Sequence, residues 1–441
     1  MKKQNGAYPA HFWPALVIFS LTGQVAWVVE NMYFNVFIYK MFQASAEDIS
    51  LMVAASAAAA TLTTVFVGAF SDKVGKRKIF ICGGYILWGL SIAAFALIRT
   101  DVIMNLFPST RAAGVVSAAS VGVTLVIIMD CVMTFFGSSA NDAAFNAWLT
   151  DATEHAGRGA AEGINSMMPL VAILVVFGGF MSFDLSRQQS WTTIFLIIGG
   201  IVLLIGLSGL FLIRETAVKK EENRHYFTNI FYGFRPSVIR DNKVLYYTFF
   251  AFAVFNISIQ VFMPYLILYY TVSLGMDNYV MIMAPAILIA AVVTAFYGRF
   301  YDKAGFSRSV VPSLLMLMLG YVLLYLFRNT ALVFVGSLLM MSGYLSGMAV
   351  FGAMIRDHTP KGKAGMFQGL RIFSQVLIPG VIGPYIGAWV LRGAEQMIGD
   401  DGTSSFIPNA NIFLAAAVVG LVLAAVLWGE ISVVKGEAHR E

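Results

Sequence analysis

Five ionisable side chains stand inside long apolar runs of this 441-residue chain: Glu30, Asp130, Asp142, Glu162 and Arg371. A charge near the centre of a bilayer costs roughly 2.5–3.5 kcal/mol on insertion scales, so such groups face a polar cavity or one another. Glu30 shares three- and four-residue spacing with Gln24, Trp27, Asn31 and Phe34, which predicts one helical face. A carboxylate, an amide and an indole on one face can grip a sugar, with acceptors for its hydroxyls and a flat ring for its C–H face. Glu30 also suits a plain ion pair with a neighbouring helix. Asp142 has Asn141 beside it, Asn146 one turn on and Trp148 nearby, a hydrogen-bonding cluster ill-suited to a lipid-facing surface. Its structural alternative is an ion pair with Arg371, and pairing and ligand binding are compatible.

Arg371 lies between Gln368 and Gln375 at spacings that place all three on one face. Its planar fork can hold a carboxylate bidentately or pair with Asp142 or Glu30. Asn256 and Gln260 form an i, i+4 pair, with Tyr265, Tyr269 and Tyr270 beyond them as an expected interfacial belt. Asp130 is expected to meet interfacial water, and Glu162 to pair with Arg158 at i, i+4. Pro379 and Pro384 among Gly380, Gly383 and Gly387 make that stretch the best candidate for a bending gate. The five histidines lie in loops or at termini, which argues against a histidine proton relay. The sequence has no metal-ligand spacing, no G-K-[ST] phosphate loop and no Ser-His-Asp arrangement, so neither an enzyme, a cofactor nor a metal is expected.

The elements that must position these residues are membrane spans. The chain is 59% apolar and 12% charged with a mean hydropathy of +0.76, whereas soluble domains carry about 25% charge. Apolar runs of about 20 residues predict an all-α chain of twelve spans near 14–40, 48–70, 79–98, 118–150, 160–183, 191–213, 244–272, 278–300, 309–327, 331–355, 364–391 and 409–434. The domains expected are a six-helix bundle over 1–213, a linker with an interfacial helix over 214–243, and a second six-helix bundle over 244–441. Of 29 Lys and Arg residues, 22 fall on the side that holds both termini and the linker, and 6 on the other. The positive-inside rule therefore places both termini in the cytoplasm. Cys82 and Cys131 lie within apolar runs, so no disulfide framework is indicated.

Two motifs recur in the same order in each half. Gly68–Gly75 and Gly298–Gly305 both read G-x-x-x-D-K-x-G; Asp151–Gly163 and Asp357–Gly369 both read D-x-T-x5-G-x3-G. A duplicated membrane chain of this kind implies a transporter. Asp72 to Asp151 spans 79 residues against 55 from Asp302 to Asp357, and the 24 extra residues are expected around 99–122. Asp72, Lys73, Arg77, Asp302, Lys303 and Arg158 are the candidate gating residues. An acid at a helix end is stabilised by another helix's N-terminal dipole, so Asp72 is expected to face Lys363–Gly365, and Asp302 to face Arg158–Gly159.

The duplicated G-x-x-x-D-K-x-G and the six-plus-six layout resemble the major facilitator superfamily over the whole chain. Within it, the stretch from Asn141 to Gly159 is similar to the glycoside–pentoside–hexuronide:cation symporters, typified by melibiose permease, and to the sucrose–proton carriers. The resemblance implies that Asp142 binds the sugar and that Arg371 matches a helix-11 cation, Lys in the typical member. Sodium users of the family carry carboxylates in helix 2, and Ile49 to Phe70 has none, so a proton is the expected coupling ion. The resulting expectation is a monomeric plasma-membrane symporter of a sugar, glycoside or sugar acid. Trp27, Glu30, Asn31, Asp142, Asn146, Asn256, Gln260, Gln368, Arg371 and Gln375 would bind the solute, and Asp142 and Glu30 would couple the cation. The alternatives are an exporter of amphipathic drugs and, from another class, a non-transporting receptor. Two intramembrane acids with an arginine favour a polar solute, and the short linker and tails offer no signalling extension.

Overall fold

The computed structural model describes residues 11–153, 158–215, 232–360, 364–398 and 404–438. Among them, 11 helices are long and apolar enough to cross a membrane. The first seven are Phe12–Phe42, Ala46–Ser71, Arg77–Leu97, Ser117–Ala152, Gly163–Phe180, Gln188–Leu212 and Lys243–Ser273. Val280–Leu326 has 47 residues, about 70 Å of helix and more than twice a bilayer core. It breaks at Gly305 (φ 73°, ψ 178°) and so holds the eighth and ninth spans. Thr330–His358, Gly369–Leu391 and Asn411–Gly429 are then the tenth to twelfth.

Gly75, which ends the first motif copy, has φ 68°, and Gly305, which ends the second, has φ 73°. The repeated motif is thus a helix end closed by one left-handed glycine, where a side chain would be strained. The extra residues of the first half form two short helices, Thr100–Leu106 and Pro108–Ala113, ahead of Val115–Gly137. Most of the 214–243 linker lies outside the described residues; its described end is a turn, Tyr232–Phe234, and a short helix, Pro236–Asp241.

The backbone groups into two compact units: Met1–Ala44 with Ala59–Tyr226, and Ser45–Ala58 with Phe227–Glu441. In the first unit, the third and sixth spans meet backbone to backbone. A Cβ on Gly89 would lie 2.4 Å from the Leu203 nitrogen, and one on Gly199 2.6 Å from the Ala93 nitrogen. Phe34, Phe37, Phe95, Trp191 and Phe195 fill the space beside them, all buried. In the second unit, Gly320 and Gly343 bring the ninth and tenth spans equally close. There the Ser258 hydroxyl donates to the Ala416 carbonyl and meets the Tyr321 hydroxyl at 3.1 Å. Large apolar side chains remain on the outer faces, Phe211 at 86% and Trp428 at 78% exposure, which fits lipid rather than water as their solvent.

Four spans carry a π turn: Val29–Tyr33, Ser138–Phe145, Tyr269–Ser273 and Phe373–Leu377. An added residue in a turn rotates every following side chain, and such turns concentrate at functional sites.

Candidate functional site

In the first unit, two π turns hold three of the candidate residues, Glu30 and Asn31 on the first span and Asp142 on the fourth, the last with Asn141 beside it. The expected stripe from Trp27 to Phe34 is split by its π turn. Glu30 is buried and accepts the Thr134 hydroxyl at 2.8 Å, Asn31 is exposed, and Phe34 packs into the aromatic core. Constant α-helical spacing does not hold across that turn. Asn31 Nδ2 donates to its own helix at the Trp27 carbonyl, 2.8 Å.

Asp142 is half-buried in the middle of the fourth span and accepts the Ser138 hydroxyl at 3.0 Å. The Trp27 indole N–H makes no hydrogen bond of good geometry but lies close enough to bear on the Asp142 carboxylate. Trp27 stacks at a tilt on Trp88, ring centroids 5.0 Å apart. Asn141 turns the other way, into the protein, and donates to the Tyr85 hydroxyl at 2.6 Å. Asn146 is exposed and bonds back to the Asp142 carbonyl at 3.2 Å. Asp130 is 2% exposed and not at interfacial water; its helix packs it inside the unit. Ser20 donates to Asn165, joining the first and fifth spans.

In the second unit, Asn256 is buried and bonds to the Phe252 carbonyl at 2.8 Å, while Gln260 is half-buried against Gly383. Arg371 is half-buried, just ahead of the π turn Phe373–Leu377 that carries Gln375. Among the described residues, another cation, Arg356, lies close enough to act on Arg371. The side chain of Gln368 lies outside the described residues. Tyr265, Tyr269 and Tyr270 do not form an interfacial belt. All three are at most 1% exposed, and Tyr269 and Tyr270 reach the Leu324 carbonyl and the Ser337 hydroxyl. A hydroxyl that finds a buried partner lets the ring join the core. Gly380, Gly383 and Gly387 each face a close neighbour, namely Ala57, Gln260 and the Val261 carbonyl, so in this structure they serve packing.

The repeated motifs meet within each unit. Arg77 pairs with Asp151 at 3.1 Å, donates to the Ser71 hydroxyl at 2.6 Å, and its backbone N–H donates to Glu215 at 2.6 Å. The acid on a helix N-terminus is thus Glu215, at the start of the third span. Lys78 caps the sixth span at the Leu210 carbonyl, 2.7 Å, and the Trp148 indole donates to the Arg214 carbonyl at 3.1 Å. In the second unit Tyr301 donates to Asp357 at 2.6 Å. Lys73, Asp302 and Lys303 are exposed. The expected partners of Asp72 and Asp302 involve the side chains of Asp72 and Arg158 and residues 361–363, which lie outside the described residues, as does the Glu162 side chain.

Ser138 is not among the residues expected from the sequence, although its one-turn spacing from Asp142 is a signal for it; Thr134, which meets Glu30 across two spans, has none. Tyr85, Tyr301 and Glu215 carried no such signal, since each meets its partner only through tertiary packing.

The sequence pattern described as Major Facilitator Superfamily matches residues 12–384. No curated protein matches the chain significantly. Among solved structures, the nucleoside transporter NupG aligns with a TM-score of 0.71 at 12% identity, covering 95% of this chain and 99% of that one. A bacterial homologue of the human lysosomal transporter Spinster gives 0.69 at 16% identity over 97% and 98%. The xylose transporter XylE from E. coli gives 0.66 at 13% over 94% and 98%. At these identities the likeness is one of fold. The match over most of the chain, with its twelve spans, makes this protein a member of the Major Facilitator Superfamily, a multi-pass membrane transporter and not an enzyme.

Proposed function

We propose that the protein moves a sugar, glycoside or sugar acid together with a proton, by alternating access, in the plasma membrane with both termini cytoplasmic. The observation that carries this reading is Asp142, a half-buried carboxylate on a π turn in mid-span, with the Ser138 hydroxyl and the Trp27 ring beside it. An acceptor, a hydroxyl and a flat aromatic surface suit a polyhydroxylated ring. A carboxylate in a low-dielectric setting also exchanges a proton readily. The similarity of Asn141–Gly159 to the glycoside–pentoside–hexuronide symporters and sucrose–proton carriers supports the sugar class. The names of two similar structures, a nucleoside and a xylose transporter, agree with a polar solute.

Arg371 and Gln375 on the eleventh span, and Asn256 and Gln260 on the seventh, would also bind the solute, and the arginine extends the range to sugar acids. The acid-free stretch from Ile49 to Phe70 favours a proton over sodium. The protein would act as a monomer, with Arg77, Lys73, Asp72, Arg158, Asp302 and Lys303 at its cytoplasmic gate. Counterflow in proteoliposomes with a panel of sugars and sugar acids, read beside a pH electrode, tests the proposal. Saturable uptake with co-transported protons, abolished by Asp142→Asn, is expected. Absence of saturable uptake at any pH, or uptake indifferent to Asp142→Asn, would sink it.

A further inference from the structure

One hydrogen-bond chain crosses three helices next to Asp142. Asn141 Nδ2 donates to the Tyr85 hydroxyl at 2.6 Å, and that hydroxyl donates to the Phe19 carbonyl at 2.8 Å. Tyr85 is fully buried and Asn141 is 3% exposed. The chain exists because the first span has no side chain at the crossing. A Cβ on Gly23 would lie 1.8 Å from Asn141 Nδ2 and 2.8 Å from the Tyr85 hydroxyl. The Tyr85 ring is held in turn by Phe19 and Trp88, edge-on, at centroid distances of 4.9 Å and 5.5 Å.

Asn141 and Asp142 are consecutive residues of the π turn Ser138–Phe145. A π turn has poorer hydrogen-bond geometry than an α-helix and persists where surrounding contacts hold it. Fixing the direction of one residue in the turn fixes the direction of the next. With Asn141 held against Gly23 and the Tyr85 hydroxyl, Asp142 points instead to Ser138 and Trp27, where it is half-buried.

We propose that Tyr85 is a positioning residue, which by holding Asn141 against Gly23 sets the direction of the Asp142 carboxylate. This rests on the reading of Asp142 as the carboxylate that meets the solute and the proton. Tyr85 and Asn141 touch neither; they act through the turn. The same hydrogen bonds would also be expected of ordinary core satisfaction, so stability alone cannot separate the two roles.

The test uses the full-length protein in detergent or proteoliposomes with dicyclohexylcarbodiimide, which adds to protonated carboxyl groups in apolar surroundings. Adducts are assigned by mass spectrometry across a pH series. The titratable groups on the elements packed against this turn are Cys82 and Tyr85, with Arg77 and Lys78 at the end of the third span. Asp130, Cys131 and Asp151 lie on the fourth, and Glu30 and Tyr33 on the π turn of the first. Site-resolved adducts and Asp142→Asn separate Asp142 from the other carboxyls. The wild type is expected to form an adduct at Asp142, and Tyr85→Phe to move the midpoint of that reaction by about 0.5–1 pH unit.

The double variant Tyr85→Phe with Asn141→Leu removes both partners and leaves no orphaned amide, so its thermal stability should return toward wild type. Its Asp142 midpoint should stay displaced, and it serves equally if the single variant fails to fold. A midpoint unchanged in both variants overturns the positioning role while leaving Asp142 in place. No adduct at Asp142 at any pH removes the reading of Asp142 itself, and this inference with it.

Discussion

Arg77 Nε lies 3.1 Å from Asp151 Oδ2, which joins the two sequence motifs that recur in each half of the chain. The guanidinium side chain is 5% exposed and the carboxylate 27%, so the pair is largely shielded from water. Arg77 also holds Ser71, and its backbone holds Glu215. Removing the arginine strands Asp151 and leaves Ser71 without its donor. Arg77→Met should destabilise the protein by about 1–3 kcal/mol, and Arg77→Lys should recover only part of this because lysine lacks the fork. A double-mutant cycle with Asp151→Asn, read by denaturant unfolding, should give a coupling of at least about 0.5 kcal/mol. Additive single effects would show the pair to be incidental.

The second unit makes the corresponding connection without a cation. Ser71 and Tyr301 occupy the same motif position, as do Asp151 and Asp357. Where Arg77 bridges the first pair, the position matching Arg77 is Ser307, and Tyr301 reaches Asp357 directly at 2.6 Å. Both members lie nearer solvent than Arg77 does. Tyr301→Phe should cost about 0.5–1.5 kcal/mol. Its effect should vary little between low and high salt, and so should that of Arg77→Met, because a shielded pair is screened far less than an exposed one. Grafting the first arrangement onto the second, Tyr301→Ser with Ser307→Arg, should restore stability over Tyr301→Ser alone. A graft no better than Tyr301→Ser would refute the correspondence.

The twelve spans were legible because burial in lipid demands long apolar runs, and Phe12–Phe42 and Gln188–Leu212 needed nothing more. The charge asymmetry and the duplicated motifs were equally plain. What could not be read was the direction of individual side chains. Trp27, Asn31 and Phe34 fall on one face only if the helix keeps α-helical spacing, and the π turn Val29–Tyr33 removes that condition; Glu30, next to Asn31, points about 100° away from it in any α-helix. Such a turn leaves no mark in composition, since it arises from packing with neighbouring helices. Tyr269 and Tyr270 had the sequence position of a belt, yet Leu324 and Ser337 offer them buried partners. For the same reason Asp142 stands out in the sequence by its residue type and depth, whereas Tyr85, which holds its neighbour, does not.

Glycines of one helix should respond to substitution in opposite ways. In Arg77–Ala94, a Cβ at Gly83 meets nothing within 4 Å, whereas one at Gly89 would lie 2.4 Å from a backbone nitrogen of Leu203. Alanine is favoured over glycine in a helix by about 1 kcal/mol, so Gly83→Ala should be neutral or stabilising. Gly89→Ala must push the third and sixth spans apart, and should destabilise by about 1–3 kcal/mol. Thermal unfolding in one detergent compares the two directly. Equal behaviour would mean that the spans do not meet as closely as the structure has them.

Two of the contacts that hold residues 45–58 within the second unit should differ greatly in weight. Arg392 Nε pairs with Glu47 at 3.0 Å, but the side chains are 66% and 45% exposed. Exposed pairs contribute about 0–1 kcal/mol, so Arg392→Gln should scarcely move the unfolding midpoint. Tyr265 is fully buried, and its hydroxyl reaches the Ala46 carbonyl at 2.9 Å and the Pro384 carbonyl at 3.2 Å. Its ring also sits where a Cβ on Gly387 would be, 2.7 Å away. Tyr265→Phe removes the hydroxyl alone and should cost about 1 kcal/mol. Tyr265→Ala also empties the ring's volume and should cost about 3–5 kcal/mol. The order expected in denaturant unfolding is therefore Tyr265→Ala, then Tyr265→Phe, then Arg392→Gln. If Arg392→Gln proved the most damaging, the ion pair rather than the buried ring would be what secures this segment.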